Sequence, residues 1–318
     1  MTISSLFISC ALMQMSGLGL GFGGALSAWE PCSALDMTHK LCTPLSHMTW
    51  HLGSTSSNGS RVAVPFFTRE TACASMSKKG YSRIDLHGDS FMRHLTQALL
   101  LIFSGDYDAG SLNSHAKAIV ECQGDAQFSE KGCSVNGSLV NEPVRQSVSA
   151  EEEPLCHFMG HRVDLSYSGS ESFQCGGGNG TIQLFSSGNH AQVDGQSWSI
   201  NNATASMGNF FATHTCAPET QKCISGFVST HHRIAVFPDG YQRYVDVKNF
   251  NLGMRAYIEG GACGPRFSYI DTFNFTEALV LTFARNETNT MTHDGVHWSR
   301  TVNLLKAQLV LHHFLSSS

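Results

Sequence analysis

Arg83-Ile84-Asp85-Leu86-His87-Gly88-Asp89-Ser90-Phe91-Met92-Arg93 changes its period part-way along. Up to His87 it is a short apolar run of strand type; from Ser90 onward Phe91, Leu95, Leu99 and Ile102 recur near helical spacing, which predicts a helix over 90–103. Gly88 between them permits a tight turn, and Asp89 and Ser90 are both residue types that favour a helix N-cap. A strand that turns straight into an apolar helix is the building unit of an α/β domain. The turn also raises a chemical question. A serine at the start of a helix lies among backbone N–H groups without intrahelical partners, and such groups can either be capped or stabilise an oxyanion. Alone, Gly-Asp-Ser reads as a capped turn.

Further short apolar runs recur along the chain at 117–121, 162–167, 181–185, 233–237 and 267–270, between helix-like and loop-like segments, and no internal repeat is found. The alternation predicts a three-layer α/β/α sandwich with a mostly parallel central sheet. A second helix is expected over 299–315, with Val302, Leu305, Leu309 and Val310 on its apolar side and Ser299 as its N-cap. Residues 54–60 read as a polar surface loop. Residues 134–154, which end in Glu151-Glu152-Glu153-Pro154, read as a loop insertion with a solvated acidic run.

The 318 residues are 42% apolar, enough for a real core, and the formal net charge of -5 offers no concentrated positive surface for nucleic acid. No Asp, Glu, Lys, Arg or His occurs before Glu30, and Ala25-Leu26-Ser27-Ala28 supplies small residues of the kind signal peptidase accepts. Residues 1–28 therefore read as a signal peptide or a short membrane anchor, with 29–318 as a single domain. Removing Cys10 with that segment leaves ten of the eleven cysteines, an even set suited to disulfides. Cys122 and Cys133, and Cys216 and Cys223, are close enough to close local loops. Asn58, Asn136, Asn179, Asn202, Asn274 and Asn286 stand in Asn-x-Ser/Thr sequons. These features together predict the lumen of the secretory pathway or the cell exterior.

The bland reading of Ser90 weakens at the other end of the chain. Thr292-His293-Asp294-Gly295-Val296-His297-Trp298-Ser299 puts Asp294 three residues before His297, just ahead of the last helix. That spacing in a turn can bring a carboxylate beside an imidazole and hold the tautomer that leaves the other ring nitrogen free as a base. Serine first, then Asp and His together, is one of the chain orders in which a Ser/His/Asp triad arises. Adjacent histidines at 231–232 and 312–313 suggest no metal site, and Cys175-Gly176-Gly177-Gly178-Asn179-Gly180 precedes a strand, so it reads as a flexible turn and not as a phosphate-cradling loop. No metal or organic cofactor is expected.

The pair "GDSFMR" and "DGVHWS" resembles block I and the Asp-x-x-His block of the SGNH/GDSL hydrolase superfamily, and more specifically its PC-esterase branch, which includes trichome-birefringence-like polysaccharide O-acetyltransferases and the luminal domain of sialic acid O-acetyltransferase. The strand at 181–185 followed by Gly188-Asn189-His190 resembles the block that helps bind the oxyanion, and Tyr269 to Thr276 is similar to the branch's last strand and loop. The resemblance spans roughly residues 80 to 315. It implies a flavodoxin-like fold, Ser90 as nucleophile, His297 as base and Asp294 as its orienting carboxylate, with oxyanion donors from the Ser90 N–H and Asn189. The family's second block lacks a clear counterpart; Gly169 is the nearest candidate. Arg93 is a candidate contact for an anionic group. Implied substrates are acylated carbohydrates or other esters. Water as acceptor gives an esterase; a sugar hydroxyl gives an O-acyltransferase, with an acyl donor such as acetyl-CoA. A catalytically degenerate glycan-binding protein and a lipid esterase are the alternatives.

Overall fold

The computed structural model describes residues 27–30, 49–52, 62–129, 134–135, 138–139, 155–168, 180–186, 224–232, 240–261, 267–282, 292 and 295–316. By contacts the chain divides into two compact units, Met1–Thr68 and Arg69–Ser318. In the first, β1 (Ser27–Glu30), β2 (Thr49–Leu52) and β3 (Val62–Pro65) form an antiparallel sheet in that order. Ser27 and Ala28, the end of the expected leader, thus stand in β1; residues 1–26 lie outside the described set.

The second unit is built on five parallel strands: β4 (Arg83–His87), β7 (Asp164–Ser168), β8 (Thr181–Phe185), β9 (Ile224–Val228) and β10 (Phe267–Ile270). A separate two-stranded ribbon, β5 (Ser134–Val135) and β6 (Ser138–Leu139), begins the expected insertion. The parallel sheet runs β10-β9-β8-β4-β7. Numbered within the sheet this is order 2-1-3-4-5, so the chain leaves β4 in one direction for β7 and returns past it to β8. The gap beyond the carboxyl ends of β4 and β8 is where such folds carry ligands. Every residue of β8 is buried, as befits a central parallel strand covered on both faces.

The helices are α1 (Arg69–Lys79), α2 (Ser90–Ser104), the single turn α3 (Ser114–Lys117), α4 (Gly240–Glu259), α5 (Thr272–Thr282) and α6 (Arg300–Leu315). Neighbours on a strand point to opposite faces, and β9 shows which helix covers which. A Cβ on Gly226 would sit 2.9 Å from Phe314 of α6, whereas Phe227 meets Phe250 of α4 at 6.2 Å between ring centroids. The sheet is therefore sandwiched, with α1, α2 and α6 packed together on one side and α4 on the other. This is the expected α/β/α architecture. Phe185, Phe227 and Tyr269 stand side by side in register across three strands and give the α4 face an aromatic row. On the other side α2 is buried at all thirteen positions from Phe91 to Phe103. It is a core helix.

Strands β4, β8 and β10 match the runs read from sequence, and β7 is displaced from its run by one or two residues. The run at 117–121 is not a strand. Asn113 Oδ1 accepts from Ala116 N at 2.8 Å and starts a helical turn, Cys122 sinks into a small cluster with Ala109, Leu112 and Ala116, and Val120 points to solvent. Thr272 to Thr276, expected as loop, is the opening of α5, because Asp271 Oδ1 accepts from Asn274 N at 2.9 Å. Cys73 pairs with Cys156 across 83 residues of sequence. Cys122 is also disulfide-bonded. Cys133, Cys216 and Cys223 and the run at 233–237 lie outside the described residues. No described helix is long and apolar enough to cross a membrane.

Candidate active site

Gly88 follows β4 with φ +143°, and a Cβ there would strike the Ser186 carbonyl oxygen at the end of β8 and come within 2.8 Å of Met92 Cγ. Only glycine lets the chain turn here while β4 and β8 remain paired. The turn is braced from outside as well. The Tyr167 hydroxyl lies 3.1 Å from both the Gly88 and Asp89 carbonyl oxygens, and the Gly88 N–H donates to Ser168 O at 3.1 Å.

The N-cap of α2 is Asp89, whose Oδ1 accepts from Phe91 N at 2.9 Å. Ser90 is consequently released from capping. Its hydroxyl is directed at His297, with Oγ 2.8 Å from Nε2 across 207 residues of sequence. The Asp89 carbonyl takes the N–H groups of Met92 and Arg93. Within that first turn the Ser90 N–H is the donor with no partner among the described residues.

His297 is fixed on both flanks to the segment that follows β9. His231 Nε2–H donates to Val296 O at 2.9 Å, and Trp298 Nε1–H donates to His232 O at 2.9 Å. A bridge between Thr292 and Trp298 closes the turn, and Gly295, at φ +79°, donates its N–H to Thr292 Oγ1 at 3.1 Å. Behind the turn, Asn303 Nδ2 donates to the carbonyls of Trp298 and Ser299 at 2.6 and 3.1 Å. The expected cap of α6 is refined: Ser299 occupies the N-cap position without a side-chain bond, and Asp125 Oδ1 instead accepts from Arg300 N at 2.6 Å.

Beneath the pair, the ring of His94 meets that of His297 edge-on at 5.3 Å, and Phe91 meets it at 5.6 Å. Arg93 is buried, with Nη2 3.4 Å from His94 Nε2. Lys306 of α6 is only 2% exposed, with Nζ 3.0 Å from His231 Nδ1 and 3.2 Å from Asn303 Oδ1. Burial drives its ammonium from 10.5 down to about 7, and the Asp89 carboxylate partly opposes that fall. His231 and Lys306 were not singled out as site residues from sequence. The available signal was a lysine one position after Leu305 and four after Val302, on the side of the helix expected to be apolar.

Of the residues expected at the site, Ser90 and His297 are brought together, while Asp294, Asn189 and Gly169 lie outside the described residues. Among the described residues no group of three metal-ligating side chains converges. The arrangement that remains is a serine hydroxyl in contact with an imidazole at the mouth of a helix, above the switch point of a parallel sheet. It can transfer a proton from Oγ to Nε2 as Oγ attacks an electrophile.

No protein-family model matches the sequence, and no curated protein does. Among solved structures the chain is similar to a lipase/acylhydrolase from Enterococcus faecalis, at 13% identity and a TM-score of 0.36, over 74% of this chain and 96% of that one.

Proposed function

We propose that the protein is a serine-dependent acyl-transfer enzyme of the SGNH type, an O-acyltransferase or esterase acting on O-acylated, in particular O-acetylated, carbohydrate. The observation that carries this reading is the 2.8 Å contact between Ser90 Oγ and His297 Nε2. Ser90 Oγ attacks the acyl carbonyl carbon while its proton passes to His297 Nε2. The tetrahedral oxyanion is received by the Ser90 N–H, with Asn189 and Gly169 proposed as further donors. Collapse breaks the bond to the leaving oxygen, which takes the proton from His297 and departs, leaving an acyl-serine. Water or a sugar hydroxyl then attacks, His297 accepting its proton, and Ser90 is regenerated. Asp294 is assigned to the Nδ1 side of His297, where it would stabilise the imidazolium. The Cys73–Cys156 disulfide supports action in an oxidising compartment, the secretory lumen or outside the cell.

A fluorophosphonate probe and an aryl acetate test the reading. The wild type is expected to be labelled and to hydrolyse the acetate, and Ser90→Ala and His297→Ala to lose both by about 1,000-fold or more. Full labelling of Ser90→Ala refutes the assignment. Saccharide binding without labelling in the wild type would make the chain a binding protein. Adding an acceptor glycan then separates transfer from hydrolysis by the product formed.

A further inference from the structure

A lysine buried among apolar residues is costly, and an apolar side chain of similar volume in α6 would pack without that cost. Lys306 nevertheless sits in the core of the sandwich, and its two hydrogen bonds lead toward the site. Its Nζ donates to His231 Nδ1, so that ring nitrogen is the acceptor and Nε2 carries the proton. The Nε2–H in turn donates to Val296 O, the carbonyl joined to the nitrogen of His297. On its other side the His231 ring lies against the ring of Phe91, the residue after Ser90, at 3.6 Å between centroids with a 32° tilt. His231 therefore touches the neighbour of each member of the Ser90–His297 pair.

We propose that His231, its tautomer fixed by Lys306, is a positioning residue that sets the separation of Ser90 from His297. It spaces the first turn of α2 from the turn before α6, while Asn303, which binds both Lys306 Nζ and the Trp298 carbonyl, ties the same lysine to the far flank of His297. Both side chains are placed to act through the turns that carry Ser90 and His297. An error of about 1 Å in such a contact costs roughly 100-fold in rate, so the effect on chemistry is large although it is indirect. The inference rests on the proposed acyl-transfer reading.

The full chain is used for the test, with the rate of fluorophosphonate labelling as readout. Loss of the spacer in His231→Leu is expected to slow labelling about 100-fold. His231→Gln keeps an N–H near the Nε2 position and is expected to recover at least about tenfold of that loss. Equal losses in the two variants, or labelling of His231→Leu at the wild-type rate, overturn the proposal. If Ser90→Ala is silent in the same experiment the acyl-transfer reading stands even then; if Ser90→Ala is labelled, that reading is what has failed. Histidine ¹⁵N NMR on the wild type gives a result independent of how the variants fold. Nε2 of His231 is expected to be protonated and hydrogen-bonded, and an unprotonated Nε2 overturns the proposal.

Discussion

Replacing Lys306 by methionine removes an ionisable group whose surroundings shift it from 10.5 down to about 7. Because the folded value lies below the unfolded one, the unfolded chain binds more protons between about pH 7 and 10, and stability must rise with pH through that window. Below about pH 6 both states hold the proton and the cost is constant, on the order of 4–5 kcal/mol. Between about pH 7 and pH 9 roughly 2 kcal/mol of it should be relieved. Methionine has no such term, so the stability of wild type minus Lys306→Met should climb by that amount over those two pH units and stay flat below. The subtraction cancels the tyrosines and carboxylates common to both proteins. It is also indifferent to the constant offset from the lost bonds to His231 and Asn303. Equilibrium denaturation with the disulfides intact, followed by tryptophan fluorescence, to which buried Trp298 contributes, and repeated at several pH values, supplies the curve. A difference that does not change between about pH 7 and 9 would show that Lys306 keeps an ordinary lysine's affinity for its proton and that the description of its environment is wrong.

Three other perturbations have definite expectations. Gly88→Ala must reconcile a side chain with φ +143° and with the Ser186 carbonyl, so it should destabilise the fold by at least about 2 kcal/mol and abolish Ser90 labelling, as read by denaturation and probe; wild-type values in both would remove the steric argument. Asp89→Asn should retain the α2 cap and lower Lys306 still further by removing its carboxylate, so that the stability rise begins at lower pH, whereas Asp89→Ala should also lose about 1 kcal/mol of helix capping. Replacing Cys73 and Cys156 together by alanine opens a loop spanning a sequence separation of 83 and should cost about 4–5 kcal/mol by the chain-entropy account; a cost under about 1 kcal/mol in chemical denaturation would contradict it.

The parts of the fold that could be read in advance are those where local pattern and tertiary context agree. β4, β8 and β10 are apolar runs bounded by polar or turn residues, and Gly88 announces its turn. β9 escaped because its residues, Ile224-Ser225-Gly226-Phe227-Val228, are interrupted by the glycine that Phe314 needs for close approach. The run at 117–121 misled for the opposite reason: its β-branched residues satisfy a strand pattern, yet the local cap at Asn113 and the buried Cys122 decide its course. Lys306 gave only a weak signal, because α6 is buried on nearly every side and its hydrophobic period sets no sharp boundary between an apolar face, where a lysine would stand out, and a polar one.

The two functions open to the Gly-Asp-Ser turn, capping and nucleophilic attack, are divided in the folded chain between two residues. Had Ser90 been the cap, its oxygen would have been held toward a first-turn N–H, and the orientation that aims its O–H at His297 Nε2 would have been lost. Asp89 takes that bond with a carboxylate, which also suits the positive end of α2. Its carboxylate also favours the charged form of buried Lys306, the residue that fixes His231. Thus the aspartate that frees the serine is electrostatically coupled to the lysine that holds the histidine's loop. The coupling implies that substitutions at Asp89 and Lys306 should be non-additive in both stability and labelling rate, and a double-mutant cycle in which the two effects simply sum would separate the cap from the clamp.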